Sequence, residues 1–331
     1  MTDADRDPRL GEVGEFGLIG RIVAGLPFGR GTILGSGVIV GPGDDTAVVA
    51  APDGRVVITV DMLVEGQHFR RAWSSAEDVG HKAAAASLAD VAAMGAVPTA
   101  LVVGLGAPAS LPVSWATDLS LALQAEAERA GAQVVGGDVV SSEQVIVSVT
   151  AIGDLQGRAP VLRGGAQPGD VLAIAGRLGE SAAGLALLRA GLAVPGEAVA
   201  AHRRPEPAYA AGPSAAIAGA TAMIDVSDGL VADARHLAEA SNVHIRIDTA
   251  QLPIASHLVQ AAQLLSCQVL PWILEGGEDH ALLATFPREV SLPIEFRPIG
   301  QVQSLPADQH QPGVAVDGVT WPRGGGFDHF A

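Results

Sequence analysis

The sequence predicts an α/β protein of two domains, and three observations lead to that prediction. The chain has 331 residues, more than the ~250 to 300 at which a single hydrophobic core usually stops growing. Strand-like and helix-like apolar patterns alternate along the chain. After the turn-rich segment "GRAPVLRGGAQPGD" the alternation starts again. We therefore expect domains at 1–157 and 158–331.

The beginning of the chain predicts a helix, a pair of strands and a second helix. "EFGLIGRIVAGL" (15–26) has helical apolar spacing, and "TAVVAA" and "RVVITVD" predict strands paired around the turn "PDG". Ser75 and Asp78 have capping-box spacing, and Gly95 suits a left-handed helix end. The alanine-rich segment between Ser75 and Gly95 is the clearest helix of the sequence.

The rest of the chain continues the alternation. "TALVVGL", a helix near 114–130 closed by Gly131, "AQVVGGD" and "QVIVSVTAIGD" complete the first half. The second half predicts, in order, a strand "VLAIAG", a helix from about Glu180, a strand "TAMID", a helix from Gly229, and strands near 244, 280 and 296.

Composition narrows the cellular setting and the partners. Residues 91–117 carry no charge, but their three prolines and three glycines break them into a helix end, a short strand and a loop, so we predict no membrane span. The opening "MTDADRDPRL" predicts no signal or transit peptide. A single cysteine, Cys267, favours a reducing compartment, and we expect a cytoplasmic protein.

The net charge disfavours polyanionic partners. The chain has 20 basic and 36 acidic residues, a formal charge of -16, and Lys82 is its only lysine. Such a surface repels nucleic acid and anionic membranes. It would also repel a phosphorylated substrate unless bound cations or local arginines reversed the sign at the site.

Five short segments place aspartate beside apolar or glycine residues. They contain Asp44 with Asp45, Asp61, Asp90, Asp138, and Asp225 with Asp228. One such aspartate, taken alone, is a turn former or helix cap by about two to one. Several together favour a different interpretation, since crowded carboxylates cost several kcal/mol each unless paired, protonated or bound to metal. Hard oxygen ligands suit Mg²⁺ held with substrate phosphates.

Other enzyme classes lose their main support. No Gly-x-x-x-x-Gly-Lys-Ser/Thr loop occurs, and "GRGTILGSG" lacks the Gly-x-Gly-x-x-Gly spacing. No Gly-x-Ser-x-Gly elbow is present, and the nine histidines form no zinc motif. A Walker-type NTPase is excluded, and dehydrogenase, hydrolase and zinc-enzyme interpretations are disfavoured.

Nine segments in order closely resemble the thiamine-monophosphate kinase family. They are "GEFGLI", "GDDTAVV", "VDMLVEGQHF", "HKAAAASLADVAAMGA", "VVGGDVV", "VLRGGAQPGD", "IDVSDGL", "EGGEDHALL" and the terminal "GFDHF". Each segment is weak by itself, but the ordered set covers nearly the whole chain. The wider superfamily includes aminoimidazole ribonucleotide synthetase and selenophosphate synthetase.

The resemblance implies a fold and an activity. The fold would be the two-domain α/β (α+β) fold of aminoimidazole ribonucleotide synthetase, with N-terminal sheets pairing across a homodimer. Residues 1–157 would bind ATP and Mg²⁺ and dimerise, and 158–331 would form an α/β domain completing the active site. The activity would be ATP-dependent conversion of thiamine monophosphate to thiamine diphosphate by in-line transfer assisted by several Mg²⁺ ions.

The resemblance also implies roles for residues of this chain. The metal ligands would be Asp45, Asp61, Asp90, Asp138, Asp225 and Asp228, with Thr59 assisting at the end of its strand. The nucleotide would contact Gly137, Asp138, Arg163 and Ser227, and thiamine monophosphate would contact His68, Glu278 and Phe327. Catalysis would depend on Asp45, Asp225, Asp228 and Arg163. Asp44 is the less certain member of its pair.

Structural roles are the alternatives for several of these residues. His68 alone would be an ordinary strand-end histidine, and Arg163 could form a salt bridge at the domain junction. We expect Asp279, next to Glu278, to bond backbone amides and not a ligand. Family members often carry threonine at the positions of Val60 and Val139 and asparagine at that of Ser87; the valines are harmless if only backbone groups serve there.

Two rival functions are weighed against the kinase. One is another ATP-using enzyme of the superfamily, such as aminoimidazole ribonucleotide synthetase, which "EGGED" and "GFDHF" disfavour. Selenophosphate synthetase fits less well because no cysteine precedes Cys267, and a hydrogenase maturation factor would end in cysteine, whereas this chain ends "DHFA". The other rival is a non-catalytic sensor of nucleotide and Mg²⁺, which the intact acids disfavour.

Overall fold

The computed structural model describes residues 7–25, 38–40, 48–194, 196–305 and 311–322. Its contacts divide the chain into two compact units. The first contains Met1–Val91 and Pro98–Gln156, and the second contains Ala92–Val97 and Gly157–Ala331.

The first unit is built around a four-stranded sheet. Its elements, some of whose end residues group with the second unit, are α1 (Leu10–Gly25), β1 (Val38–Val40), β2 (Val48–Val49), β3 (Val57–Val64), α2 (Ala76–Ala93), β4 (Val97–Ala107), α3 (Val113–Arg129), β5 (Gln133–Ser141) and β6 (Ile146–Asp154). The sheet order is β3-β6-β4-β5, with β4 and β5 parallel and β3 and β6 antiparallel. The short strands β1 and β2 pair with each other.

The expected pairing of the strands around "PDG" is wrong. The turn exists, with Asp53 Oδ1 accepting from the backbone N–H of Arg55 at 3.0 Å. However, β2 pairs with β1, and β3 pairs with β6 over eight residue pairs, from Val57 opposite Gly153 to Val64 opposite Ile146. The long register with β6 outweighs a local hairpin in which one strand has only two residues.

The local signals of α2 are confirmed. The backbone N–H of Ser75 donates to Asp78 Oδ2 at 3.0 Å, and that of Asp78 donates to Ser75 Oγ at 3.3 Å, which is a reciprocal capping box. After the helix, Gly95 takes a left-handed φ of 73°. Gly131 does the same after α3, with a φ of 85°.

The uncharged segment 91–117 forms the end of α2, the strand β4 and the start of α3. The strand has 11 residues and is longer than expected, because Pro98, Gly104 and Gly106 lie within it. Pro98 is its second residue, before the pairing with β5 begins at Ala100, so its missing N–H costs no bond to β5. Of the helices in the described part of the chain, none is both long and apolar enough to cross a membrane.

The second unit is built around a seven-stranded sheet. Its elements are β7 (Val171–Ala175), α4 (Glu180–Arg189), α5 (Gly196–Arg203), α6 (Ala211–Ala218), β8 (Ala222–Val226), α7 (Leu230–Ser241), β9 (His244–Ile247), α8 (Ser256–Leu265), α9 (Leu270–Glu275), β10 (Ala281–Phe286), β11 (Arg297–Gln303), β12 (Gly313–Val316) and β13 (Val319–Thr320). The order is β13-β12-β9-β11-β7-β10-β8. The predicted strands and the helices at Glu180 and after Gly229 are confirmed.

Three loops meet at one edge of this sheet. Strand β10 lies antiparallel between β7 and β8, with Leu282 opposite Ala175 and Ala281 opposite Val226. The loops that follow β7 and β8 and the loop that precedes β10 therefore lie side by side. β8 and β10 are buried along their whole length, so polar groups from this edge border an apolar core.

Candidate active site

In the first unit, β3 presents two predicted ligand groups to α2. Thr59 Oγ1 donates to Asp90 Oδ2 at 2.7 Å, and Ser87 Oγ donates to Asp61 Oδ2 at 2.8 Å. Thr59 and Asp61 are two apart on the strand, and Ser87 and Asp90 are three apart on the helix, so each pair shares one face. The structure thus brings Thr59, Asp61 and Asp90 to one strand–helix face.

Two expectations about this strand change. Thr59 is the third of the eight residues of β3, so it does not lie at a strand end. Ser87 is fully buried and also lies 3.0 Å from the carbonyl oxygen of Val149, so its hydroxyl orients Asp61 within the protein. Val60 is 60% exposed, on the opposite face from Thr59 and Asp61. The side chain of Val60 is therefore absent from the face of β3 that carries Thr59 and Asp61.

Gly137 and Asp138 lie within β5. A β-carbon on Gly137 would lie 2.2 Å from the carbonyl oxygen of Val103 on β4, so only glycine fits this close approach of two strands. Asp138 is exposed, and its Oδ1 accepts from the N–H of Val139 at 2.9 Å. The backbone N–H of Val139 thus serves the carboxylate, and its side chain takes no part in that contact.

His68 follows β3 in a tight turn. Its Nδ1 accepts from the backbone N–H of Val64 at 3.0 Å, which fixes the ring. The sole lysine, Lys82, is 4% exposed, and its Nζ donates to the carbonyl oxygen of His68 at 3.2 Å. Lys82, for which the sequence suggested no role, therefore ties the turn at His68 to α2.

In the second unit, Asp225 is the fourth residue of the buried strand β8. Asp225 is only 4% exposed, and its Oδ2 lies 3.2 Å from Nδ1 of His280. His280 takes a left-handed φ of 53°, an uncommon conformation for a non-glycine residue. Sequence reasoning assigned no partner to Asp225, although His280 follows the quoted motif "EGGED" directly.

Asp233 holds the loop that carries Asp228. Its Oδ2 accepts from the backbone N–H groups of Asp228 and Gly229, both at 3.1 Å. Burial, and then the negative charge of Asp225, raise the pKa of Asp233 to about 7. Asp233 was not predicted from the sequence, although it is an acidic residue in the first turn of α7, where the helix dipole favours a negative charge.

The loop before β10 packs directly on the loop after β8. The N–H of Glu278 donates to the carbonyl oxygen of Ser227 at 2.8 Å. A β-carbon on Gly277 would lie 2.3 Å from the same oxygen, so the two backbones touch at a glycine. Glu278 has a left-handed φ of 66°. Ser227 and Glu278, predicted to face nucleotide and substrate, are thus neighbours.

Asp279 bonds backbone amides, as expected. Its two carboxylate oxygens accept from the N–H of Gly179 at 2.5 Å and that of Ser181 at 2.8 Å, which satisfies the start of α4. Asp279 is 6% exposed. Burial raises its pKa to about 7 against the opposing effect of the two N–H groups.

The remaining predicted residues are placed as follows. Arg163 is exposed, its carbonyl oxygen accepts from Ser241 Oγ at 3.1 Å, and among the described residues its guanidinium forms no salt bridge. Asp44, Asp45 and Phe327 lie outside the described residues. Over the described ranges, no three His, Cys, Asp or Glu side chains are grouped to hold a metal ion together.

The residues still fit Mg²⁺ by their chemistry. The groups on β3 and α2 are carboxylate and hydroxyl oxygens, which are the hard donors that Mg²⁺ prefers. Mg²⁺ commonly takes one or two protein carboxylates and completes its shell with water and substrate phosphates, so a dedicated protein cage is not required. The set of metal ligands therefore stays a prediction.

Comparison with known proteins identifies the family. Residues 43–155 match AIR synthase related protein, N-terminal domain, and residues 167–309 match AIR synthase related protein, C-terminal domain. The thiamine-monophosphate kinase of Mycobacterium tuberculosis (strain CDC 1551 / Oshkosh) is 50% identical over 328 residues, covering 99% of this chain and 95% of that protein. The chain belongs to the thiamine-monophosphate kinase family.

Two further members of the thiamine-monophosphate kinase family support this assignment. The protein from Corynebacterium glutamicum is 40% identical, covering 97% of this chain and 95% of its own length. A solved structure of AaThiL complexed with AMPPCP and TMP is 35% identical, with a TM-score of 0.78, and covers 97% of this chain and 99% of that chain. The resemblance, the mixed α/β two-domain fold and the assignment to phosphotransferases are confirmed.

Proposed function

We propose that this protein transfers a phosphoryl group from ATP to thiamine monophosphate, giving thiamine diphosphate. The observation that carries the proposal is the near-complete overlap, at 35% identity, with a structure that holds AMPPCP and TMP. The 50% identity to a thiamine-monophosphate kinase over 99% of the chain supports the same substrate.

The nucleotide would lie against Gly137, Asp138, Ser227 and Arg163. Gly137 is exposed, and Gly229 leads into the N-terminus of α7, where N–H groups favour an anion. The exposed guanidinium of Arg163 supplies a positive charge in a chain whose formal charge is -16.

Cations held by the predicted metal-binding aspartates would neutralise the charge of the phosphates. Two unit charges 4 Å apart cost about 4 kcal/mol at an effective dielectric of about 20, and here a phosphate must approach a triphosphate. When bound, Mg²⁺ would supply the neutralising charge. The proposed ligands of these several ions are Thr59, Asp61, Asp90, Asp138, Asp225, Asp228 and Asp45.

The thiamine monophosphate would contact His68, Glu278 and Phe327. The thiazolium end of this substrate is cationic and its aminopyrimidine is flat, so a carboxylate and an aromatic face suit it. Glu278 is the described carboxylate in this set, and its side chain is 33% exposed.

No general base is required in this reaction. The nucleophile is an oxygen of the substrate phosphate, which is already anionic near neutral pH. The chain's own contribution is to align the two phosphates for in-line transfer. Arg163 would stabilise the charge on the transferred group directly, whereas Asp45, Asp225 and Asp228 would do so by holding Mg²⁺.

A homodimer is part of the proposal. The outer face of β3 shows three apolar side chains in alternation, Ile58, Val60 and Met62, which are 63%, 60% and 54% exposed. β3 is an edge strand of its sheet. An edge strand with an exposed apolar face invites pairing with another copy. Sedimentation of the purified chain should give the mass of a dimer, and a monomer at micromolar concentration would contradict this part.

The activity is tested with the purified full chain, Mg²⁺, ATP and thiamine monophosphate. ADP and thiamine diphosphate should appear in equal amounts, and neither should form without Mg²⁺ or without thiamine monophosphate. No ADP with this substrate but turnover with another, such as the substrate of aminoimidazole ribonucleotide synthetase, would overturn the assignment. Nucleotide binding with no turnover of any substrate would favour a sensor.

A further inference from the structure

A buried histidine lies beside the carboxylate of Glu278. His202, on α5, is 5% exposed. Its Nδ1 lies 3.0 Å from Ser181 Oγ on α4 and 3.6 Å from Glu278 Oε2. The second distance is too long for a hydrogen bond but short enough for an electrostatic interaction. One ring nitrogen therefore faces both a hydroxyl and a carboxylate.

The two neighbours of Nδ1 select its protonation state. A carboxylate is an acceptor only, so a lone pair on Nδ1 would face the negative charge of Glu278 across 3.6 Å. A hydrogen on Nδ1 can instead be donated to the hydroxyl of Ser181, 3.0 Å away, and its partial positive charge then lies close to Glu278 Oε2. The arrangement therefore favours an N–H on Nδ1 that is bonded to Ser181 and attracts the nearby carboxylate of Glu278.

The backbone of Glu278 is fixed as well. Its left-handed φ of 66° is strained for a residue with a side chain. The N–H of Glu278 is bonded to Ser227, and the next residue, Asp279, is bonded to the N–H groups of Gly179 and Ser181. Ser181 thus contacts both the anchor of the loop, through its N–H, and His202, through its hydroxyl.

We propose that His202 is a positioning residue, which directs the Glu278 carboxylate toward the cationic end of thiamine monophosphate. The inference rests on the proposed function, because it assumes that Glu278 contacts that substrate. His202 acts on substrate affinity through Glu278 and does not touch the reacting phosphates. Its removal changes the KM for thiamine monophosphate, with little change in kcat or in the KM for ATP.

The test compares three substitutions of His202 in the full chain. His202→Leu removes the N–H, and the KM for thiamine monophosphate should rise about 5- to 10-fold. In His202→Asn the amide nitrogen takes the place of Nδ1, and the KM should stay within about twofold of wild type. In His202→Gln the amide takes the place of Nε2, and the KM should rise as in His202→Leu.

Two controls separate positioning from general damage. His257→Leu replaces another part-buried histidine of the same unit, whose Nε2 lies 3.2 Å from Glu180 Oε2, and should leave the KM unchanged. In a Glu278→Gln background, His202→Leu should add no further rise in KM, because residues that act as one unit are non-additive. If His202→Leu does not fold, the Asn and Gln variants carry the comparison.

The outcomes distinguish the inference from the proposed function. A wild-type chain that does not phosphorylate thiamine monophosphate overturns both. An active wild type with an unchanged KM in His202→Leu, or with an equal loss in Asn and Gln variants, overturns the role of His202 alone. So does a rise in KM from His202→Leu that persists undiminished in the Glu278→Gln background.

Discussion

Gly277→Ala tests whether the two loops at the sheet edge must touch. The new β-carbon would lie 2.3 Å from the carbonyl oxygen of Ser227 and 3.3 Å from the Cα of Asp228. Since real β-carbons essentially never come closer than 3.0 Å, the loops must separate by 3.0 minus 2.3, or about 0.7 Å. These neighbours are backbone atoms, so no side chain can rotate away to make room.

That displacement gives the expected magnitude. A misplacement of about 1 Å can cost about 100-fold in rate, so we expect kcat/KM to fall by about 10- to 100-fold. Overpacking of this kind also lowers the free energy of unfolding by about 1 to 3 kcal/mol. Steady-state ADP release measures the first effect, and urea unfolding followed by circular dichroism measures the second.

A matched control comes from another glycine of the same unit. A β-carbon on Gly196, at the start of α5, would meet nothing within 4 Å. Gly196→Ala should leave kcat/KM unchanged and stabilise the helix by up to about 1 kcal/mol. If Gly277→Ala kept wild-type kcat/KM, contact between the loops at Gly277 would not be needed for the reaction, and the reasoning would be refuted.

Two further predictions concern buried acids. Asp225→Asn, nearly constant in volume, should lower turnover by at least about 100-fold and leave the circular dichroism spectrum unchanged, because it removes a charge proposed to hold Mg²⁺; wild-type turnover would remove Asp225 from the mechanism. Burial raises the pKa of Asp279 from 3.8 to about 7, so the folded chain keeps a proton that the unfolded chain releases. The free energy of unfolding should therefore fall, by at most about 1.4 kcal/mol per pH unit, as pH rises through that interval. Asp279→Asn cannot titrate, so urea unfolding should show a shallower fall; an equal slope in both proteins would contradict the assignment.

Local signals in the sequence predicted local structure well. The capping box at Ser75 and Asp78 and the left-handed glycine at Gly95 depend only on residues a few positions apart, and the structure shows both. The pairing of β3 was not predicted correctly, because its partner β6 begins 82 residues after the end of β3 at Val64. Apolar alternation identifies a strand but does not say which strand lies beside it.

In the candidate site, too, features that depend on local sequence were predicted and those that depend on distant residues were not. The glycine- and aspartate-rich segments around Ser227 and Glu278 were identified because their residue types are informative by themselves. His202 was not identified, since its role depends on Glu278, which lies far along the chain and meets it only after α4, α5 and β10 have packed. Asp233 was within reach of sequence reasoning, as its spacing from Gly229 is local.

The start of α4 depends on a group that is synthesised much later. Asp279 caps the N–H of Ser181 across 98 residues of sequence. While the ribosome is still making the intervening chain, those first amides lack their acceptor, and the helix end is exposed to competing contacts. Native closure of this end must therefore await emergence of nearly the whole polypeptide. A fragment ending before the "EGGED" segment would lack this cap even if its other helices formed.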